Sequence, residues 1–421
     1  MNLKKTSASF AAVIFLMVVS AAAAAAATLT VGNATSGSCP HVFTTIQSAV
    51  TAASAGDTIQ VCPGTYNELV AINKTLTIVG AKAGVDARTR TTTNESIVGS
   101  GDGAFQIEAN KVVIDGFTVQ GVTNDPNVFP SALGAGIWTN PGFSGTNGGH
   151  QIRNNIIQNN IIGIELDNDG TFQTKVERNL IQNNNASGPL GGTGIATDFG
   201  LSNAVIDSNK FVGQTGSGIN EFAFTSGMTV SNNEFAGNAR AMGLFAVTSS
   251  SITGNTIHNS TDSLGSDVRL YGGVSGLSVT CNTFTGGAGR ALRVDDAGFG
   301  GGPNSSITFN KNNISGYPIG LEEDAGGYFG GSLDATKNWW GSSTGPTIAS
   351  NPAGTGAAII DADGVVSYVP FLTTFSSCAP VPQIGPPTNK DQCKNDGWTL
   401  FNVPKKFKNQ GDCIQYVNTG K

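Results

Sequence analysis

One short phrase recurs along the middle of this chain, and it restricts the possible folds more than any other feature. It consists of an apolar residue, two variable residues, an Asn, one further residue and a second apolar residue. Instances are Ile152–Asn155–Ile157, Val176–Asn179–Ile181, Ile206–Asn209–Phe211, Val230–Asn233–Phe235, Ile252–Asn255–Ile257, Val279–Asn282–Phe284 and Phe309–Asn312–Ile314, with Asn338 before Trp339-Trp340 as a last variant. The Asn positions are 24, 30, 24, 22, 27, 30 and 26 residues apart. A period of that length marks a solenoid, in which each unit covers the apolar face of its neighbour.

Between these phrases lies another, a small residue followed by alternating apolar and other residues, as in Gly163-Ile164-Glu165-Leu166-Asp167 and Ala291-Leu292-Arg293-Val294. Alternation with a period of two indicates strands, and Gly and Asn at the joints indicate turns. No segment of the repeat keeps a helical period for ten residues. The expected fold is all-β: a single-stranded parallel β-helix of about ten rungs, spaced ~4.8 Å apart. The recurring Asn is expected to take the left-handed bend at a corner. Its amide should also donate to one rung and accept from another, forming a ladder that satisfies a buried polar group.

Residues 1–27 read as a signal peptide, with Lys4 and Lys5, an apolar run through Val13–Val19 and an Ala25-x-Ala27 cleavage site. No other stretch is long and apolar enough to span a bilayer, so no transmembrane anchor is expected once the signal is removed. The chain is therefore expected to be secreted or at the cell surface. The whole chain has 23 basic and 29 acidic residues, which argues against a broad basic surface for nucleic acid. The 57 Gly suit a fold of many turns. Six Cys in an exported chain are expected to pair: Cys39 with Cys62 and Cys393 with Cys413, with the partners of Cys281 and Cys378 left open. Three His and no Cys-x-x-Cys make a transition-metal site unexpected.

Residues 43–53 have the pattern of one amphipathic helix, with Thr44 or Thr45 as N-cap. A solenoid must plug its open end, and this helix is placed to do so. The run Thr45-Ile46-Gln47, Ala52-Ala53, Gly56-Asp57-Thr58-Ile59 and Pro63-Gly64-Thr65-Tyr66 resembles the opening of secreted pectin-lyase-like right-handed β-helix proteins. The Gly-Ile and Asn rungs are similar to repeats of the same superfamily, including its NosD-like group. Asn338-Trp339-Trp340-Gly341 with Gly345-Pro346 resembles the segment that closes such coils. The resemblance spans about residues 40–375 and implies a right-handed coil. It does not select an activity, because that superfamily holds lyases, hydrolases, epimerases and non-catalytic binders.

In the catalytic members of that superfamily, the sheet made of the Gly-Ile strands carries the substrate groove. Alternation puts Ile164, Ile195, Ile219, Leu244, Val268, Leu292 and Leu321 inward. One outward column then reads Trp138, Glu165, Ala196, Asn220, Phe245, Arg269, Arg293 and Glu322. A second reads Asn140, Asp167, Asp198, Phe222, Val247, Tyr271, Asp295 and Asp324. Glu221 and Glu323 fall on inward positions, which puts the register in question at those two rungs.

Two roles are open for Arg269 and Arg293. They could clamp a uronate carboxylate, with Asp295 completing a catalytic set. Alternatively they belong to a surface network neutralised by Asp295, Glu322 and Asp324. Trp138, Phe222, Phe245 and Tyr271 are candidate sugar-stacking platforms, with Glu165, Asp198, Glu322 and Asp324 as polar ligand contacts. Asp167 and Asp198, one rung apart, are a candidate Ca²⁺ pair, the one cofactor considered. Asp295-Asp296 resembles the paired Asp of polygalacturonase-type hydrolases, but the His and Arg motifs of that family are absent.

The division expected from sequence is a signal peptide at 1–27, a β-helix with its N-terminal cap at 28–378, a Pro-rich linker at 379–388 and a small Cys-containing C-terminal module at 389–421. The module has six Lys and three Asp. Two functions of different class are expected from these features. One is a monomeric binder of extracellular polysaccharide or another surface ligand, without turnover. The other is a polysaccharide lyase or related carbohydrate-active enzyme acting on acidic glycans.

Overall fold

The computed structural model describes residues 25–124, 134–140, 148–222, 224–296, 298–381, 386–394, 398 and 401–421. The signal-peptide reading falls almost wholly outside the described residues, as do most of the insertions around 123–133 and 141–149.

The chain winds as a right-handed parallel β-helix with three faces. Most turns lay one short strand on each of three parallel sheets, which have 13, 11 and 10 strands among the described residues. One turn runs through Gln151–Arg153 on the first sheet, Ile156–Gln158 on the second and Ile162–Glu165 on the third. The chain then returns to the first sheet at Asn168–Glu177, which pairs in parallel with Gln151–Arg153.

The strands are three to five residues long over most of the coil because each needs to place only one or two side chains inward. Those side chains stack on their counterparts one turn away. Ile114, Ile152, Val176 and Ile206 form such a file on the first sheet, and Ile157, Ile181, Phe211 and Phe235 on the second. The Phe211 and Phe235 rings lie 4.6 Å apart and 3° from parallel. All eight residues are at most 1% exposed, so the core is a continuous column.

The Asn of each repeat sits at the corner between the first and second sheets and builds the expected ladder. Asn155 Nδ2 donates to Asn179 Oδ1 at 3.2 Å, Asn179 to Asn209 at 2.9 Å, and the chain of bonds continues through Asn233, Asn255, Asn282 and Asn312 to Asn338. The bend, however, is not taken by the ladder Asn. The left-handed backbone belongs to the residue before it: Asn154, Arg178, Ser208, Asn232, Cys281, Lys311 and Lys337 have φ between 53° and 58°. The reason is geometric. With the preceding residue turned outward in that conformation, the Asn itself points into the corner, where its amide spans two rungs.

A second ladder, not anticipated from sequence, occupies the corner between the second and third sheets. Asn160 Nδ2 donates to Asn184 Oδ1, the Asn184 N–H to Gln214 Oε1 and the Gln214 N–H to Asn238 Oδ1. Further along, this corner holds Ser260, Asp267 and Tyr317. The Ser260 and Tyr317 hydroxyls both donate to the buried Asp267 carboxylate.

Both ends of the column are covered. Helix α1 (Ile46–Ala52) buries Ile46, Ala49 and Val50, with Thr45 Oγ1 accepting from the Ser48 N–H as N-cap. The Glu68 carboxylate accepts from the first two helical N–H groups at 2.8 and 3.0 Å. At the other end Trp340 is fully buried against Phe309, and Trp339 packs on Phe375. Cys39–Cys62 and Cys393–Cys413 are bonded, and Cys281 is joined to Cys378. That last bond fastens the segment after the Trp pair to the Asn corner. The tail has its own small core of Cys393, Phe401, Phe407 and Cys413, closed by helix α2 (Gln410–Thr419).

Candidate functional site

Strand pairing on the third sheet fixes which side chains face outward. The register runs Trp138, Glu165, Ala196, Asn220, Gly243, Arg269, Arg293 and Glu322. The expected first column holds except at one rung. Met242, not Leu244, aligns with Ile219 and Val268, so Phe245 moves to the second column and Gly243 takes its place. The shift follows from the sequence Ala241-Met242-Gly243-Leu244: the Gly-Ile look-alike is the second apolar pair, while Ala241 occupies the position that Gly163, Gly194 and Gly218 hold on the preceding rungs. Val247 is buried and belongs to neither column. Glu221 and Glu323 do point inward and are fully buried. Glu221 accepts from Thr225 Oγ1 at 2.8 Å and Glu323 from the Asp363 N–H at 3.0 Å.

The corrected second column reads Asp198, Phe222, Phe245, Tyr271, Asp295, Asp324, so three aromatic residues occupy successive rungs. Phe222 lies 6.3 Å from Phe245 and 5.1 Å from Tyr271, centroid to centroid. A fourth ring, Phe299, closes on all three at 5.3–5.9 Å, edge to face. Phe299 comes from the loop Gly298-Phe299-Gly300-Gly301-Gly302 and was not identified from sequence. An aromatic residue set among glycines has no strand to bury it, and that was the available signal. Gly301 is required where it stands, because a Cβ there would lie 2.7 Å from the Phe245 ring. Phe222 is 36% and Phe299 55% exposed, whereas Tyr271 is 6% exposed and forms the floor. Four clustered rings with two of them open to solvent are unusual on a surface.

Next along the same face is a ladder of ion pairs. Arg269 donates through Nη2 and Nε to Asp295 Oδ2 at 2.5 and 3.0 Å, and Arg293 does the same to Asp324 Oδ2 at 2.5 and 3.0 Å. Each arginine thus reaches one rung ahead. The Asp295 oxygen also lies 3.5 Å from Arg293 Nε, so the space between the two guanidinium groups is filled by the protein's own carboxylate. Glu322 pairs with Arg290 rather than with Arg293. Arg269 lies 4.4 Å above the Tyr271 ring, whose hydroxyl is in turn bonded by Arg240.

On the opposite side of the aromatic rungs lie Glu165, Asp167 and Asp198. Glu165 is fully buried, and burial, with the charges of Asp198 and Asp167 added, holds its carboxyl well above the usual range. Burial also raises Asp167, and partial desolvation with the Asp167 charge raises Asp198. Asp167 Oδ1 accepts from Thr197 Oγ1 at 2.7 Å and from the Phe199 N–H at 2.9 Å. Those donors tie it into the turn after the strand. Ca²⁺ requires six to eight oxygens, and among the described residues no three His, Cys, Asp or Glu gather as ligands. Trp138 is 1% exposed and packs with Ala135, Ile161, Ile162 and Ala196, so its ring is a core element and not an open platform.

A groove of 770 Å³ lies elsewhere, along the second sheet beside Pro380 and Val381. Its lining is Asn, Thr, Ser and Gly with His258, Glu234, Pro380 and Val381, and contains no Phe, Tyr or Trp.

Residues 141–318 match the family model described as a right handed beta helix region. No curated protein gives a match. Among solved structures, an alginate lyase from Paenibacillus sp. strain FPU-7 is 17% identical, covering 63% of this chain and 97% of its own, with a TM-score of 0.45. The surface adhesin PfbA of Streptococcus pneumoniae is 15% identical over 66% of this chain and 81% of its own, with a TM-score of 0.39. Pectate lyase Pel9A is 12% identical over 88% and 86%, with a TM-score of 0.42. These likenesses concern coil architecture alone.

Proposed function

We propose that this right-handed parallel β-helix is an exported, monomeric binder of extracellular polysaccharide, which it holds without turnover on the third sheet. The observation that carries the reading is the cluster of Phe222, Phe245, Tyr271 and Phe299, with two rings exposed on a rigid, stacked scaffold. A pyranose ring presents an apolar C–H face, and a fixed aromatic ring meets it without ordering cost. Export is supported by three disulfides, which suit an oxidising compartment. Among the described residues no helix is long and apolar enough to cross a membrane. The monomer is supported by the two covered ends, which leave neither terminal rung as a template for another copy.

Binding is preferred to a lyase using Arg269, Arg293 and Asp295 because the Nε–Nη2 edge of each arginine is engaged, by Asp295 and by Asp324. A clamp must present those donors to the substrate in order to acidify the proton beside its carboxylate. Glu165, whose carboxyl burial holds well above its ordinary range, is fully buried and out of reach of a polymer. The test incubates the mature protein with a panel of polysaccharides, following retention on polymer gels alongside release of reducing ends and unsaturated products. Retention without products supports the reading. Products that disappear in Arg293→Ala would establish the enzyme instead.

A further inference from the structure

Resting on that reading, we infer that the aromatic face takes an uncharged glycan and rejects a uronic-acid polymer. The three aromatic rungs form an unbroken stretch of the second column, and a carboxylate stands at each end of it: Asp198 before Phe222, Asp295 after Tyr271. Rungs repeat at ~4.8 Å, about the length of one sugar unit, so a chain laid along the column passes both ends. A polyuronate carries one carboxylate per sugar and would bring negative charge against Asp198, which like Asp167 beside it is partly shielded from water, where like charges repel most. The Asp295 charge is met by Arg269 and Arg293.

The cations that could offset this are already committed. Arg269 and Arg293 give their Nε–Nη2 edges to Asp295 and Asp324, and Arg290 and Arg240 pair with Glu322 and Asp262. Asn220 stands next to Phe222 in the first column and offers a neutral hydrogen-bonding group beside the rings. Stacking faces with neutral hydrogen-bonding groups complement a hydroxylated polymer. A carboxylate ligand would find the Nε–Nη2 edges of Arg269 and Arg293 already taken.

The experiment uses the mature full-length protein in affinity gels containing laminarin, dextran, galactomannan, polygalacturonate or alginate, at about 0.02 and about 0.5 M NaCl. The expected result is retention by at least one neutral polymer, unchanged by salt and weakened at least about tenfold in Phe222→Ala, with no retention by the two polyanions. In Asp295→Asn/Asp324→Asn the freed arginines are expected to confer retention by polygalacturonate that high salt abolishes. Unfolding by urea confirms that each variant is folded, and Asp324→Asn alone serves where the double variant is not. Retention of the unaltered protein by polygalacturonate or alginate would overturn the neutral-glycan inference while leaving a glycan-binding face in place. Failure of a folded variant with freed arginines to bind polygalacturonate would overturn the charge argument. Absence of retention by any of the five polymers would overturn the binding reading itself.

Discussion

Asp295 Oδ2 lies 2.5 Å from Arg269 Nη2 and 3.5 Å from Arg293 Nε, so a single carboxylate oxygen joins guanidinium groups that belong to different rungs. The Asp295 side chain is 6% exposed, against 24% for each arginine. Removing an arginine and removing the aspartate are therefore unequal changes. Arg269→Met leaves a buried carboxylate with one distant partner and is expected to cost about 2–4 kcal/mol. Asp295→Asn leaves two arginines that water can reach and is expected to cost about 1–2 kcal/mol. Urea unfolding of both single variants and the double variant measures this. Equal costs, or a coupling near zero, would show the contact to be incidental.

The corner between the first two sheets divides two jobs between neighbouring residues, and each can be perturbed alone. Asn233 donates to Ile206 O and Asn255 Oδ1, and its own Oδ1 accepts both the backbone and side-chain N–H of Asn209. Asn233→Ala would orphan several buried groups together, for an expected loss of about 3–5 kcal/mol. Lys311, by contrast, holds the left-handed bend with φ 56°. Lys311→Gly is expected to stabilise the protein by about 0.5–1 kcal/mol, because glycine enters that region without a Cβ clash. Chemical denaturation of the two variants should move the midpoint in opposite directions.

How far the sequence revealed this arrangement depends on which residues are considered. The period of the Asn phrase and the alternation around Ile164, Ile195 and Ile219 were legible because every rung repeats the same geometric requirement. The second ladder was partly legible: Asn160, Asn184, Gln214 and Asn238 each follow a first-ladder Asn by five residues. That regularity fades at Ser260, Gly287 and Tyr317, where Tyr317 crosses Gly287 to reach Asp267. At Met242 the register was misread because small-apolar pairs occur twice in succession, and hydrogen bonding to both neighbouring rungs decides between them. Phe299 was not foreseen because loops carry no period, and only the folded coil shows that its ring meets Phe222. The Asp partners of Arg269 and Arg293 were visible as candidates, but the one-rung diagonal that pairs them depends on side-chain reach.

The tail provides a test of autonomy. Its core is four residues, two of them the bonded Cys393 and Cys413, which are 20 residues apart. So small a core is not expected to hold without its cross-link, which a loop of this length makes worth about 3 kcal/mol. Cys393→Ser/Cys413→Ser is expected to expose residues beyond the linker to limited proteolysis, while the coil keeps its resistance and its thermal midpoint. A tail that stays protected in this variant would mean that contacts with the coil hold it.

A pH response is expected from Asp267, the buried acid at the corner between the second and third sheets. Burial pushes its carboxyl up to about 6 from an ordinary 3.8, in spite of the hydroxyls of Ser260 and Tyr317 that donate to it. A folded-state value above the unfolded one means that the native protein binds this proton more tightly. The stabilisation is therefore full below about pH 4 and is lost as pH rises through about 6, by on the order of 2–3 kcal/mol. Asp267→Asn keeps the shape and removes the titration. Glu165, Asp198 and Glu323 are raised as well and tilt the profile in the same direction, so the informative quantity is the difference between the two proteins. That difference in unfolding free energy should change between pH 4 and pH 6.5 in favour of Asp267→Asn and be flat above pH 7. Parallel profiles across the whole range would mean that Asp267 keeps the same charge in the folded and unfolded chains.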